Sequence, residues 1–515
     1  MDPACIRHTD LPGTTQLFAD FTYHFDKVAR FYRYNPHDPA SLAAAAREID
    51  YPAERRAAMV AALHAQNGDS ESLRRLAEPG TVAVVTGQQV GLFSGPAYTI
   101  YKAITAAHLA RTLTSRGIPA VPVFWLATED HDFAEVNHAW IFDGNYQPVQ
   151  LTVDAPESNG RQRPVGGIAL EKPPVDRLAR LLGSFPHGGE VIAAVREAYT
   201  PGATMGAAFR TLLGTLLEKL GLVFLDPLDP AVRTIATPIV KEALGAAREL
   251  KTKLLERNRE LEQAGYHAQV HLEEKTSLFF VLENGERVHP GADLSALRDR
   301  AAEVSPNALL RPVVQDYLLP TVAYIGGPAE LAYLAQSQVI YDRLLGRMPV
   351  VASRAAFTLL EPRTEKLLDR YHLSLTQTLV DQEHLKERIA RALVPDAVER
   401  AFADAHDGLA HNLECLHREL EKFDGTLAAS LSKSTSKMTY QLEKLRRKIE
   451  RETMRRDARA GAEAAYLSNF LYPQRHLQER FYSILPFLAR HGMGLIEMLW
   501  DTASVDCPDH RVLQI

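Results

Sequence analysis

The sequence predicts an α/β protein: a mainly parallel sheet that carries insertions, followed by a long helical region with a heptad-like seam. Three observations predict it. Between residues 81 and 360, short apolar runs alternate with longer helical patterns, which implies crossover connections and hence parallel strands. The runs are apolar throughout, as strands covered on both faces are. From about 361 to 460 strand signals vanish, and Leu, Met and Phe recur at steps of three and four, the spacing of a helical seam.

Taken in order, residues 1–80 are polar and helix-prone, with an Ala-rich stretch over 41–66. The run 82–86 ends at Gly87 and is followed by a helical pattern over 97–113. The run 121–127 ends in a burst of charge, and 222–225 ends at Asp226. The run 321–325 meets Gly326-Gly327, after which 328–345 reads as a helix, and 349–352 ends at Ser353-Arg354. Two stretches interrupt the alternation. Residues 143–200 are rich in Gly and Pro, and 266–290 holds Asn284-Gly285 between two strand-like segments, a strong hairpin signal. Both read as insertions into a core spanning 81–360.

Leu413, Leu416, Leu420, Phe423 and Leu427 form one apolar stripe; Met438, Leu442, Leu445 and Ile449 form another. They fit a coiled coil or long helical hairpin over 361–460, either a dimerisation arm or a helix laid on its own domain. Between 431 and 460 stand ten Lys or Arg and four Asp or Glu, a surface for an acidic partner or a solvated helix face. Residues 461–515 return to apolar and aromatic content and are expected to pack on the core.

Hydrophobic residues are 46% of the 515, enough for a large core, which excludes disorder over most of the chain. The net charge of -6 argues against nucleic-acid binding through the whole surface. Cys5, Cys415 and Cys507 form no Cys-x-x-Cys pair, so neither a disulfide scaffold nor a zinc ribbon is expected. The longest apolar run, 118–127, carries two prolines and is about half the ~20 residues of a membrane helix. Residues 1–10 mix Asp, Arg, His and Pro where a signal peptide would turn apolar. A cytoplasmic protein without membrane contact is expected.

Ligands of open parallel sheets bind beyond the carboxyl ends of the strands, so the residues after each run are the candidates. After the first come Gly87, Gln88, Gln89, Ser94 and Gly95. The glycines would let backbone approach a ligand, and Ser94 or Gly95 would cap a helix whose N-terminus favours an anion. The same residues would serve a plain capped turn. The pattern is neither G-x-G-x-x-G nor a P-loop.

After the second run come Glu129, Asp130, His131 and Asp132. Crowded acids should raise some carboxyl pKa values and favour a protonated histidine, suiting acid/base catalysis, a bound amine or a metal. A surface turn would look alike. Further candidates are Gly326, Gly327 and Glu330 at the next helix start, with Tyr324 before them. Arg311, Gln315 and Asp316 stand on the preceding segment, and Arg354 follows the last run.

Residues 85–102, 122–132, 311–330 and Leu477-Gln478-Glu479-Arg480 closely resemble the bacillithiol biosynthesis cysteine-adding enzyme (BshC) family. The resemblance implies a Rossmann-like core with connecting insertions and a coiled-coil domain that pairs two subunits into a homodimer. It implies a ligase that joins cysteine to glucosaminyl malate in the last step of bacillithiol synthesis. Amide formation in water requires an activated carboxyl, so ATP or another nucleotide is expected, with no metal site. Helix N-termini at Gly95-Pro96 and Gly327-Pro328 are the expected anion sites, and His131, Asp130 and Asp132 the expected proton-transfer group. Two alternatives stay open: a nucleotide-binding coiled-coil scaffold without catalysis, and a metal-dependent hydrolase built on 129–132.

Overall fold

A computed structural model describes residues 4–154, 162–273, 276–291 and 294–515. The strands among them are β1 (Ala4–Ile6), β2 (Val82–Gln88), β3 (Ala120–Leu126), β4 (His138–Phe142), β5 (Pro148–Thr152), β6 (Val223–Leu225), β7 (Phe279–Glu283), β8 (Glu286–Val288), β9 (Val304–Pro306), β10 (Thr321–Gly326), β11 (Val350–Ser353), β12 (Phe357–Leu360) and β13 (His510–Gln514). The chain forms two compact units, 1–359 with 479–515, and 360–478.

In the first unit, β11, β10, β2, β3 and β6 lie side by side in that order, all parallel. The unbroken apolar runs have the reason the sequence suggested. Val82 and Val84 face a core with Ala106, Leu109 and Ala110 of the helix Tyr98–Ser115. Ala83 and Val85 face the opposite core, with Ala236 and Ile239 of the helix Pro230–Gly245. Counted along the chain, the strand order is 5-4-1-2-3, the Rossmann order read from the other edge. The topology reverses between β2 and β10, so their carboxyl ends open a crevice.

The hairpin at Asn284-Gly285 stands outside this sheet. β7 pairs antiparallel with β8 and β9, and the turn residues have φ of 52° and 77°, the positive values that favour Asn-Gly there. The other insertion begins earlier than composition suggested, with the antiparallel pair β4 and β5. It continues through the helices Val175–Leu182 and Gly188–Ala198; 155–161 lie outside the described residues. β13 pairs with β1, so the two chain ends share a small sheet of order β1-β13-β12.

The second unit is helical. Its longest members, Asp396–Phe423 and Gly425–Arg456, form a helical hairpin. Asp424 terminates one helix and caps the next, accepting from Thr426 N at 2.7 Å. Arg446 crosses the hairpin to Glu399 at 2.8 Å. The basic run is in part neutralised along its own helix, where Arg455 and Arg456 share Glu452 at 2.9 and 3.1 Å. Composition placed a boundary at 460; the structure places it at 478, because the helix Ala460–Leu471 packs on the helix Gln382–Ala392. No helix among the described residues is long and apolar enough to cross a membrane.

Candidate active site

The crevice at the topological switch opens into a cavity of about 540 Å³, within the ~300–1,000 Å³ range of small-molecule sites. Strand ends supply much of its wall: Gly87, Gln88 and Gln89 after β2, Glu129, Asp130 and His131 after β3, and Gly327 and Glu330 after β10. Tyr324, Arg311 and Arg354 also line it. These eleven sequence candidates are brought together.

Six others stand elsewhere. Ser94 is fully buried away from the cavity, its Oγ 3.4 Å from Ser483 Oγ. Gly95, at φ 64°, closes a tight loop; a Cβ on Gly91 would sit 3.0 Å from its Cα. Gly91 and Gly95 therefore serve backbone packing, whereas Gly87 stays on the cavity wall. Neither Ser94 nor Gly95 caps the following helix: Ala97 does, and its N–H donates to Tyr482 O at 2.7 Å. Asp132 caps the helix Phe133–Val136, accepting from Glu135 N at 3.2 Å. Gln315 and Asp316 are fully buried behind the wall; Gln315 accepts from Arg311 at 2.9 Å and so orients it. Gly326 lies inside β10, where a Cβ would meet Glu330 Cβ at 3.1 Å.

The second expected anion site is also occupied from within. Glu330 Oε2 accepts the Gly327 N–H at 2.8 Å, so the start of the helix Pro328–Leu344 already holds a carboxylate. Lys102 Nζ pairs with Glu330 and donates to Gly87 O at 3.0 Å and Gln88 Oε1 at 2.7 Å. Tyr324 OH donates to Glu330 Oε1 at 2.6 Å. Burial pushes Glu330 up, but Lys102, Tyr324 and the Gly327 N–H together hold it below the usual carboxylate value. All three ammonium donors of Lys102 are thus engaged.

The 129–132 cluster departs from expectation in both geometry and charge. Its side chains diverge to separate partners: Glu129 to Arg233, Asp130 to Gln89 at 2.6 Å, His131 to Arg287 at 2.8 Å, and Asp132 to its helix cap. Among the described residues, no three His, Cys, Asp or Glu are grouped to hold a metal ion. Glu129 is raised, as expected of some acid here, but burial is the cause rather than repulsion within the cluster, and Arg233 opposes it. The His131 pKa is lowered, not raised. Burial and then the Arg287 guanidinium pull it down, outweighing Asp130 and Asp132.

Arg287 also fixes the histidine's tautomer. A guanidinium has donors and no acceptor, so His131 Nδ1 accepts and the neutral ring carries its proton on Nε2. Arg287 is itself anchored to Pro306 O at 2.8 Å and Ser305 Oγ at 3.2 Å, over the Phe280 ring at 4.0 Å. Sequence reasoning missed Arg287, Phe280 and Asn307, because the insertion sheet brings them to the cavity from outside the parallel strands. It also gave no role to Lys102, Tyr98, Glu135, Tyr333 or Arg480. For Lys102 a signal was present: it is the one charged residue between Tyr98 and Ala107 of a helical pattern that otherwise holds apolar residues, Tyr and Thr.

Comparison with known proteins agrees with this architecture. Residues 1–290 and 292–355 match the family model of the bacillithiol biosynthesis BshC N-terminal Rossmann-like domain, and 357–515 match that of its C-terminal coiled-coil domain. The chain is 51% identical to the "Putative cysteine ligase BshC" of Solibacter usitatus and 37% identical to that of Koribacter versatilis, both pairs covered at 100%. With the protein of that name from Salinibacter ruber it shares 34% identity over 97% of this chain and 96% of the relative. Fold, cavity and relatives together define an enzyme of the ligase class with a Rossmann-like core and a coiled-coil domain. The chain belongs to the bacillithiol biosynthesis BshC family.

Proposed function

We propose that this chain is a cytoplasmic cysteine ligase that joins the carboxyl of cysteine to the amine of glucosaminyl malate, the last step of bacillithiol synthesis. One observation carries the reading: the cavity wall holds Arg311 and Arg480 together with Asp130 and Glu135. Malate carboxylates and an ammonium group present the opposite signs to these two sets. Asp130 is fixed for such a role, its Oδ1 accepting the His131 N–H at 2.7 Å and its Oδ2 the Gln89 side chain.

A carboxylate and an amine do not condense unaided in neutral water. In this reading a nucleotide, ATP or another, is the co-substrate that gives the cysteine carboxyl a leaving group. The amine then attacks the carboxyl carbon, the C–N bond forms as the bond to the leaving group breaks, and the amine proton passes to Asp130. His131, neutral and with its proton on Nε2, donates to the oxygen that gains charge. At each expected helix-end phosphate site one N–H is already taken, that of Ala97 by Tyr482 O and that of Gly327 by Glu330.

The helical unit, in the same proposal, pairs two copies into a homodimer. Leu416, Phe423, Leu427, Met438 and Leu445 stand exposed on its hairpin, Phe423 at 81%, which is the apolar seam a second helix pair would cover.

The test is incubation of the purified protein with glucosaminyl malate, cysteine and ATP, followed by mass spectrometry. The expected result is a thiol of the combined substrate mass less one water, with AMP or ADP released. Protein that binds glucosaminyl malate and ATP but yields no such thiol would instead be a nucleotide-binding scaffold.

A further inference from the structure

Two cysteines lie together at the junction of the chain's ends, far along the sequence from each other. Cys5 Sγ is 3.8 Å from Cys507 Sγ, across 502 residues. Cys5 is exposed and stands on β1, opposite Arg511 of β13. Cys507 is half-buried in the turn that leads into β13. That turn is held in place: Arg511 Nη2 donates to Ser504 O at 2.6 Å and to Cys507 O at 3.4 Å. The same arginine therefore registers β1 and tethers the backbone of Cys507.

The strand that carries Cys5 is weakly secured. It is three residues long, mostly exposed, and lies at the edge of its sheet. Short, exposed edge strands of this kind open readily. A covalent link at this point would hold it.

We propose that Cys5 and Cys507 form a reversible thiol–disulfide clasp, a modification site whose reactant is a low-molecular-weight disulfide, RSSR. The thiolate of one cysteine attacks an RSSR sulfur, the S–S bond breaks, and RS⁻ leaves, giving a mixed disulfide. The second thiolate attacks the protein sulfur of that mixed disulfide and expels the second RS⁻. Two electrons pass from the cysteine pair to RSSR, and the two thiol protons end on the two RSH formed. This inference is independent of the ligase reading.

The test uses reduced full-length protein incubated with hydroxyethyl disulfide, quenched by alkylation and mapped by mass spectrometry. The expected result is a Cys5–Cys507 linked peptide pair within one chain, with Cys415 alkylated, reversed by dithiothreitol. Cys507→Ser should halt at a mixed disulfide on Cys5. Amide exchange of β1 should slow in the linked protein relative to the reduced one. Alkylation of both cysteines after exchange, mixed disulfides that persist on the wild type, or linkage between chains would each overturn the clasp. So would linked protein whose β1 exchange is unchanged.

Discussion

Arg354 and Glu479 meet in a buried two-point ion pair, with Nη1–Oε2 and Nη2–Oε1 separations of 2.9 and 2.6 Å. Arg354 follows β11, and its guanidinium lies over the Tyr98 ring at 5.2 Å on the cavity wall. Glu479 also accepts the Phe357 N–H at 3.0 Å. The pair therefore ties the sheet's carboxyl edge to the returning C-terminal segment. Burial pushes Glu479 up, yet Arg354 holds it down at about 2.

Removing one partner should cost far more than removing both. Glu479→Gln strands a buried guanidinium, and loss of one member of a buried pair costs about 3–5 kcal/mol. Arg354→Met combined with Glu479→Leu leaves no orphaned charge and should cost less than either single change. Urea unfolding would show this as midpoint shifts at constant m-value. A double variant whose loss equals the sum of the two single losses would remove the pairing as the cause.

Acid should weaken the same region through two histidines. His8 and His510 are each pulled to about 4, chiefly by burial, although Glu479 pushes both upward. The unfolded chain binds these protons near 6.5 while the folded chain does not until near 4. Stability should therefore fall as pH drops below about 6.5, reaching a loss on the order of 3 kcal/mol per histidine below about 4. His8→Phe keeps a buried ring beside Phe18, 4.9 Å away, and should flatten the decline of Tm between pH 7 and 4.5. An unchanged slope would exclude His8 as a contributor.

The parallel strands were legible because burial on both faces leaves a continuous apolar run, and Asn284-Gly285 was legible because few other pairs suit its backbone. Strand-end position also gathered much of the cavity wall. What escaped was long-range. Arg287 reaches His131 across 156 residues, and no local pattern marks an arginine on an insertion as a neighbour of that histidine. Ser94 and Gly95 misled for the opposite reason: glycines required by a turn look the same as glycines required by a ligand. The His131 pKa was misjudged because sequence neighbours are visible and burial is not.

The helical hairpin offers a test of assembly. Phe423 and Leu445 are exposed at 81% and 49%, and replacing both with Glu would place charge in the proposed seam. Sedimentation equilibrium at micromolar concentration should show a dimer for the wild type and a monomer for Phe423→Glu/Leu445→Glu, with helicity by circular dichroism unchanged. A monomeric wild type would end the dimer proposal.

His131 and Arg287 give the sharpest test of the site. With Nδ1 accepting from Arg287, the ring is a neutral donor through Nε2, so activity should be lost as pH falls through a value below 6.5, where the ring protonates and the arrangement breaks. Arg287→Gln removes the guanidinium while Asp130 and Asp132 remain to favour the charged ring. The acid limb of the kcat/KM profile should then move to higher pH. His131→Ala should lower kcat by about 10²–10³-fold, as loss of a preorganised donor does. His131→Gln, which can still donate but cannot titrate, should keep more activity than His131→Ala and lose the limb. If the limb stays in place in both Arg287→Gln and His131→Gln, the titrating group is another residue, and His131 does not donate in the reaction.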